Sequence, residues 1–174
     1  MSSDPIIITG AVDSGKTSML YSLCSRLDLA GYSFGGMIQV PALPGKPKRE
    51  YVWSDQASGE TRLLMSEDEQ PGMIRFGRFW FDEQTFAWAR ERMAAASSAV
   101  DYLTFDEIGP LELEGKGLDG MLRTMLASFG GTIIAVVRRP LLEHVCVRYG
   151  LHIDHVCILH ADRPWEAQLE RVLS

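Results

Sequence analysis

Two hydrophobic periods alternate along this chain, and the switches between them mark its elements. The run Pro5-Ile6-Ile7-Ile8-Thr9 is short, continuous and β-branched, the pattern of a strand buried on both faces. A helical period follows over 16–30, with Met19, Leu20, Leu23, Cys24 and Leu27 on one stripe and Gly31 as its stop. A second strand is predicted over 36–40, closed by Pro41. Asp82 caps a helix striped by Phe86, Ala89, Met93 and Ala96. A strand over 100–105, a glycine-containing loop and a helix marked by Leu118, Met121, Leu122, Met125 and Phe129 come next. The strand over 132–137 is strongly apolar, Pro140 opens a helix that Gly150 ends, and a strand over 155–159 and a helix over 165–173 complete the chain. Strands alternating with helices predict an α/β fold, a mostly parallel sheet covered by helices on both faces and joined by right-handed crossovers.

The stretch 42–81 breaks this rhythm. Pro44, Gly45, Pro47 and Gly59 separate short strand-like pieces at Tyr51-Val52-Trp53 and 61–65, and a third piece over 74–81 alternates around Gly77. It reads as an antiparallel β-hairpin inserted in, or extending, the main sheet. Ser66-Glu67-Asp68-Glu69 reads as a solvated acidic loop. The whole of 1–174 is expected to form a single domain.

Composition narrows the class. Of 174 residues, 46% are hydrophobic and 23% charged, enough apolar material for a core and no sign of disorder. Seventeen basic against 23 acidic residues leave a formal charge of −6, a poor default for a nucleic-acid partner. No apolar run reaches the roughly 20 residues that span a bilayer. Three cysteines without paired spacing suit a reducing compartment, so a cytoplasmic protein with no membrane partner is expected. Nothing in the pattern fixes the oligomeric state.

Chemistry enters at Gly10-Ala11-Val12-Asp13-Ser14-Gly15-Lys16-Thr17, which fits G-x-x-x-x-G-K-[ST] at every fixed position. A loop that leaves a strand and enters a helix turns successive backbone N–H groups inward and adds the partial positive charge of the helix start. Gly10 and Gly15 allow the tight curvature, Lys16 is placed to reach the outer phosphates of a nucleoside triphosphate, and the Thr17 hydroxyl is placed to ligate Mg²⁺. Asp13 is unusual here, because a carboxylate near phosphate is unfavourable; its side chain is expected to turn away. At the end of the strand over 100–105 stand Asp106 and Glu107. Ligands bind beyond the carboxyl ends of parallel strands, so this pair should meet the phosphate loop at one edge. Asp106 is the candidate to hold Mg²⁺, and Glu107 to orient or deprotonate an attacking water. Arg138-Arg139 emerges at the same edge after the strand over 132–137, and Arg138 is the favoured candidate to stabilise charge on the phosphate.

With these residues assembled, the chain resembles the small nucleoside-triphosphatase family first described from thermophiles, which includes the cancer-related nucleoside triphosphatase of animals. The likeness rests on Gly10 to Thr17, on Asp106-Glu107-Ile108-Gly109-Pro110-Leu111-Glu112-Leu113 and, more loosely, on Gly77-Arg78-Phe79-Trp80-Phe81. The family shows D-E-I-G-x-M-E-L in the second place, where Leu111 here replaces methionine. The resemblance implies a RecA-like P-loop core and slow hydrolysis of ATP, GTP and other nucleoside triphosphates to diphosphates. In this reading Glu107 is the catalytic carboxylate, Lys16 binds phosphate, and Thr17 and Asp106 hold the metal.

Other signals compete. His144, Cys146, His152, His155, Cys157 and His160 gather in one stretch, but their spacings do not fit a zinc site. Among Trp53, Trp80, Trp88 and Trp165, the last is the best candidate to stack on a base. A small-molecule or nucleoside kinase is the alternative enzyme, although no arginine-rich lid is evident. The stretch from Gly10 through Gly31-Tyr32 also resembles the GTP-binding accessory protein of molybdopterin-guanine dinucleotide synthesis. The chain contains no asparagine, so the N-K-x-D signature of guanine specificity cannot occur.

Overall fold

The computed structural model describes residues 4–41 and 49–173. The chain runs through β1 (Ile6–Gly10), α1 (Lys16–Leu29) and β2 (Phe34–Pro41), then through β3 (Glu50–Asp55), β4 (Thr61–Ser66), β5 (Ile74–Phe76) and β6 (Phe79–Phe81). After these come α2 (Glu83–Ala96), β7 (Tyr102–Ile108), the single turn α3 (Pro110–Leu113), α4 (Asp119–Ser128), β8 (Thr132–Arg138), α5 (Leu142–Tyr149), β9 (Cys157–His160) and α6 (Glu166–Leu173). The breaks expected at Pro44, Gly45 and Pro47 lie outside the described residues.

Alternation within the apolar strands sorts the core into two layers. Ile7 on β1 and Ile133 and Val137 on β8 join Phe86, Leu122 and Val145 of α2, α4 and α5. Ile6, Ile8, Ile134 and Val136 point the other way, onto Leu20, Leu23 and Leu27 of α1 and Leu169 of α6. Successive side chains on a strand face opposite sides, so a run without polar positions requires helices on both. Each isoleucine buried this way contributes about 2–3 kcal/mol over an exposed one.

The strand order is β5-β6-β4-β3-β2-β7-β8-β1-β9. β2, β7, β8, β1 and β9 pair in parallel, and β8 separates the strand that feeds the phosphate loop from the strand that carries the two carboxylates. This is the RecA-like P-loop arrangement. The segment after β2 extends the same sheet: β3, β4, β6 and β5 add antiparallel strands at the edge of β2, with β5 and β6 forming a hairpin about Gly77. Asp82 caps α2 as predicted, its Oδ1 accepting from the Gln84 amide at 2.9 Å.

Several boundaries differ from the sequence reading for identifiable reasons. β7 continues past Phe105 to Ile108, because pairing with β8 resumes after an irregularity. Pro140 sits in a 3₁₀ turn, Arg139–Leu141, before α5 begins. His155 ends another such turn and is exposed. The last strand starts at Cys157, where register with Ile6 sets in, so His155 and Cys157 do not share a strand face. Ser66 belongs to β4 and is fully buried, leaving only Asp68 and Glu69 of the acidic patch exposed. Thr104, a polar residue in an apolar strand, spends its hydroxyl on the Gly35 and Met37 carbonyls at 3.2 and 3.4 Å. Opposite it, Gly36 has φ +100°, and a Cβ there would lie 2.2 Å from the Thr104 carbonyl oxygen. Only glycine fits that crossing of β2 and β7.

Candidate active site

Because β1, β8 and β7 run parallel, their carboxyl ends lie along one edge, and Gly10 is paired directly with Arg138. The chain leaves β1 at Gly10, turns through Ala11 to Ser14 and enters α1 at Lys16. At Gly10 a Cβ would displace the Ser14 hydroxyl, 2.3 Å away, and Gly15 is favoured by its φ of +85°. Lys16 is buried and donates from Nζ to the Ala11 carbonyl at 2.6 Å, so the ammonium folds back over the loop it belongs to. Val12 is exposed at the loop's tip. Asp13 is exposed, has φ +57° and lies on the rim of the cleft beside the loop rather than clear of it.

The carboxylates stand inside β7, not beyond it. Phe105 pairs with Ala135 and Ile108 with Val137, so Asp106 and Glu107 together oppose the single residue Val136. This is a β-bulge, and Glu107 adopts φ +65° within it. Consecutive strand residues would ordinarily aim to opposite faces. The bulge re-aims the second carboxylate while the first stays in the core. A left-handed non-glycine residue costs about 1–3 kcal/mol.

Asp106 is 2% exposed. Its Oδ2 accepts from the Thr17 hydroxyl at 3.1 Å and from the Gln39 amide at 3.0 Å, while Oδ1 has no hydrogen-bond partner among the described residues. Burial, aided by the neighbouring Glu107 charge, pushes its carboxyl up to about 7 against the pull of these donors and of Lys16. Glu107 accepts from Arg138 Nε at 3.2 Å. Arg139 turns outward instead and pairs with Asp162 beyond β9.

Lys16, Thr17, Glu107 and Arg138 all line one cleft of about 560 Å³. Its far wall comes from the antiparallel extension: Arg78 and Phe79, within the loosely matching stretch 77–81, and Tyr51 and Met65, which no motif marked. Gln39 lines it as well, and its signal was available as the lone polar side chain in the apolar run 36–40. Two further residues act as supports. Glu112 is a cap, its two oxygens accepting from the Gly109 and Leu118 amides at 3.0 and 3.1 Å. Trp165 spends its indole N–H on the Ala161 carbonyl and packs behind Gly15, so it braces the phosphate loop. Among the described residues no group of three or more His, Cys, Asp or Glu side chains is gathered to hold a metal.

A glycine-rich turn feeding a helix, with a carboxylate pair one strand away, defines a P-loop NTPase fold. The chain belongs to the NTPase family, whose sequence pattern matches residues 5–164. It is 32% identical over 149 residues to the nucleoside-triphosphatase THEP1 of Methanothermobacter thermautotrophicus, covering 85% of this chain and 84% of that one. It is 28% identical over 155 residues to the protein of that name in Sulfolobus acidocaldarius, covering 88% of each. In fold it is similar to a human cancer-related nucleoside triphosphatase, with a TM-score of 0.73 at 20% identity over 98% of this chain and 96% of that one. The THEP1 of the hyperthermophile Aquifex aeolicus gives a TM-score of 0.70 at 18% identity, over 99% of this chain and 96% of that one.

Proposed function

We infer that this NTPase hydrolyses ATP, GTP and other nucleoside triphosphates to the diphosphate and phosphate, and that it does so with Mg²⁺. The observation that carries the reading is the single cleft onto which Lys16, Thr17, Glu107 and Arg138 all open. The phosphate chain lies along the loop amides and the start of α1, with Lys16 leaving the Ala11 carbonyl for the outer phosphates. Glu107 accepts the proton of the attacking water. Arg138, released from Glu107, meets the charge that grows on the transferred group.

The donor set suits magnesium. The Thr17 hydroxyl and the Asp106 carboxylate are hard oxygens, they already touch, and Oδ1 is a buried acceptor with no donor among the described residues. Thr17 and Asp106 would hold Mg²⁺, whose charge would partly neutralise the phosphates and would favour the ionised form of the Asp106 carboxyl that burial disfavours.

Phosphate release from the four common ribonucleoside triphosphates, with and without Mg²⁺, tests this reading. Comparable rates on ATP and GTP that collapse on chelation are expected. Full activity in EDTA, or turnover of one base alone, contradicts it.

A further inference from the structure

One buried side chain in the wall of the cleft has no task in the account so far. Of the residues that line the cleft, Lys16, Gln39 and Met65 are buried. Lys16 donates to the Ala11 carbonyl, and Met65 is apolar. Gln39 is 8% exposed, and its backbone amide is spent on Asp106 at 3.0 Å. Its side-chain amide has no hydrogen-bond partner among the described residues, yet neither of its polar atoms is sealed from solvent. A polar group taken this far out of bulk water is costly unless something pairs with it. What this one can pair with is what the cleft holds.

Its place in the sheet narrows the choice. β2 pairs in parallel with β7, so Gln39, near the carboxyl end of β2, continues the edge that holds Gly10, Arg138 and Glu107. A second space of about 190 Å³ adjoins the cleft, and Gln39, Glu107 and Arg138 line both. The amide therefore shares one junction with the carboxylate read as the proton acceptor. An attacking water has two protons, and its lone pair is aimed at phosphorus only when both O–H bonds are held. Glu107 accepts one of them. Lys16, Arg78 and Arg138 can only donate, and the Thr17 hydroxyl is already given to Asp106. Gln39 Oε1 is the buried acceptor that remains.

We propose that Gln39 is a further catalytic residue of the hydrolysis, its side-chain amide orienting the water that Glu107 deprotonates. This rests on the NTPase reading and assigns the second partner of the nucleophile within it. The water oxygen forms a bond to the γ-phosphorus. The bond from that phosphorus to the β–γ bridging oxygen breaks, its electron pair remaining on the nucleoside diphosphate. One water proton passes to Glu107. The other stays on the oxygen that becomes part of the phosphate, held during attack by Gln39 Oε1, while Nε2 donates to an oxygen of the transferred group. Gln39 takes no proton at any stage, so it acts on the rate and not on the binding of the nucleotide.

Gln39→Met tests this, because methionine is close to glutamine in size and leaves the backbone amide on Asp106. Phosphate release and MgATP affinity by calorimetry are measured on the same preparations. Turnover is expected to fall about tenfold or more with affinity unchanged, the scale of a misoriented nucleophile. Two analogues add a readout that packing alone does not move. MgADP with aluminium fluoride mimics the phosphoryl group in flight with its water in line, whereas MgADP with beryllium fluoride mimics the bound triphosphate. The variant should lose about tenfold in affinity for the first and nothing for the second. Gln39→Asn, which withdraws the amide by one methylene, should show the same split and carries the test if the methionine variant does not fold. Parental turnover in the variants overturns the proposal, as does a loss of MgATP affinity in step with turnover, or an equal loss for the two fluorides. Absence of phosphate release from the parent protein overturns the NTPase reading itself, and this proposal with it.

Discussion

At the scale of single residues, the site is organised around Glu107, an acidic residue held at a backbone angle that glycine prefers. Glu107 accepts from Arg138, so the two opposite charges offset one another beside the loop that leaves β1. In the proposed reaction a triphosphate would compete with Glu107 for that guanidinium. Lys16 is parked in the same sense on the Ala11 carbonyl. Replacing it by alanine should weaken nucleotide binding about tenfold or more, the scale of a lost charge-assisted contact. Calorimetry checks this, and unchanged affinity would place the phosphates elsewhere. Asp106 makes the opposite bargain. It is a buried acid with one oxygen unpaired among the described residues, so Asp106→Asn should stabilise the fold without nucleotide at pH 8 by on the order of 2 kcal/mol while removing most turnover. A urea titration in which the variant is less stable would count against the cost assigned to that carboxyl.

At the scale of elements, the strands and helices were mostly legible because each carries its own period, and the phosphate loop because its chemistry is contiguous. What the chain did not disclose is non-local. The bulge in β7 depends on how Ile108 finds Val137, and nothing in Asp106-Glu107 announces a left-handed residue. Nor does any spacing show that Tyr51, Met65 and Arg78 return to wall a cleft that begins at residue 10. The 155–159 strand was misplaced because its start is set by pairing with β1 and not by its own pattern. Two predictions belong here. Gly36→Ala should destabilise the protein by about 3 kcal/mol or more, since it adds both a clash and a strained φ at the β2–β7 crossing. Chemical denaturation measures it, and a change under about 1 kcal/mol would mean that the strands separate freely. The second concerns Glu112, raised by burial to about 7, as Asp106 is. Between pH 5 and 7 the unfolded chain has already released these protons while the folded chain retains them. The unfolded state therefore binds fewer protons, and stability falls as pH rises through this window. Glu112→Gln should flatten part of that slope, and an equally steep slope in the variant would contradict the assignment.

At the scale of the whole molecule, a RecA-like sheet supplies the phosphate edge and an antiparallel extension supplies the wall that closes it. Neither half makes the cleft alone: the loop and carboxylates come from the parallel strands, and the aromatic side comes from β3 to β6. Binding should therefore stabilise the fold as a unit. At a hundredfold excess over Kd, MgATP is expected to raise the melting temperature by roughly 5–10 °C. The shift should be lost in EDTA and in Lys16→Ala. The most direct test of the account compares the parent protein with Glu107→Gln, measuring MgATP affinity by calorimetry and phosphate release on the same preparations. The predicted result is unchanged affinity with turnover lowered roughly a hundredfold or more. Parental turnover in the variant would contradict the account, because the proton of the attacking water would then go to some other group.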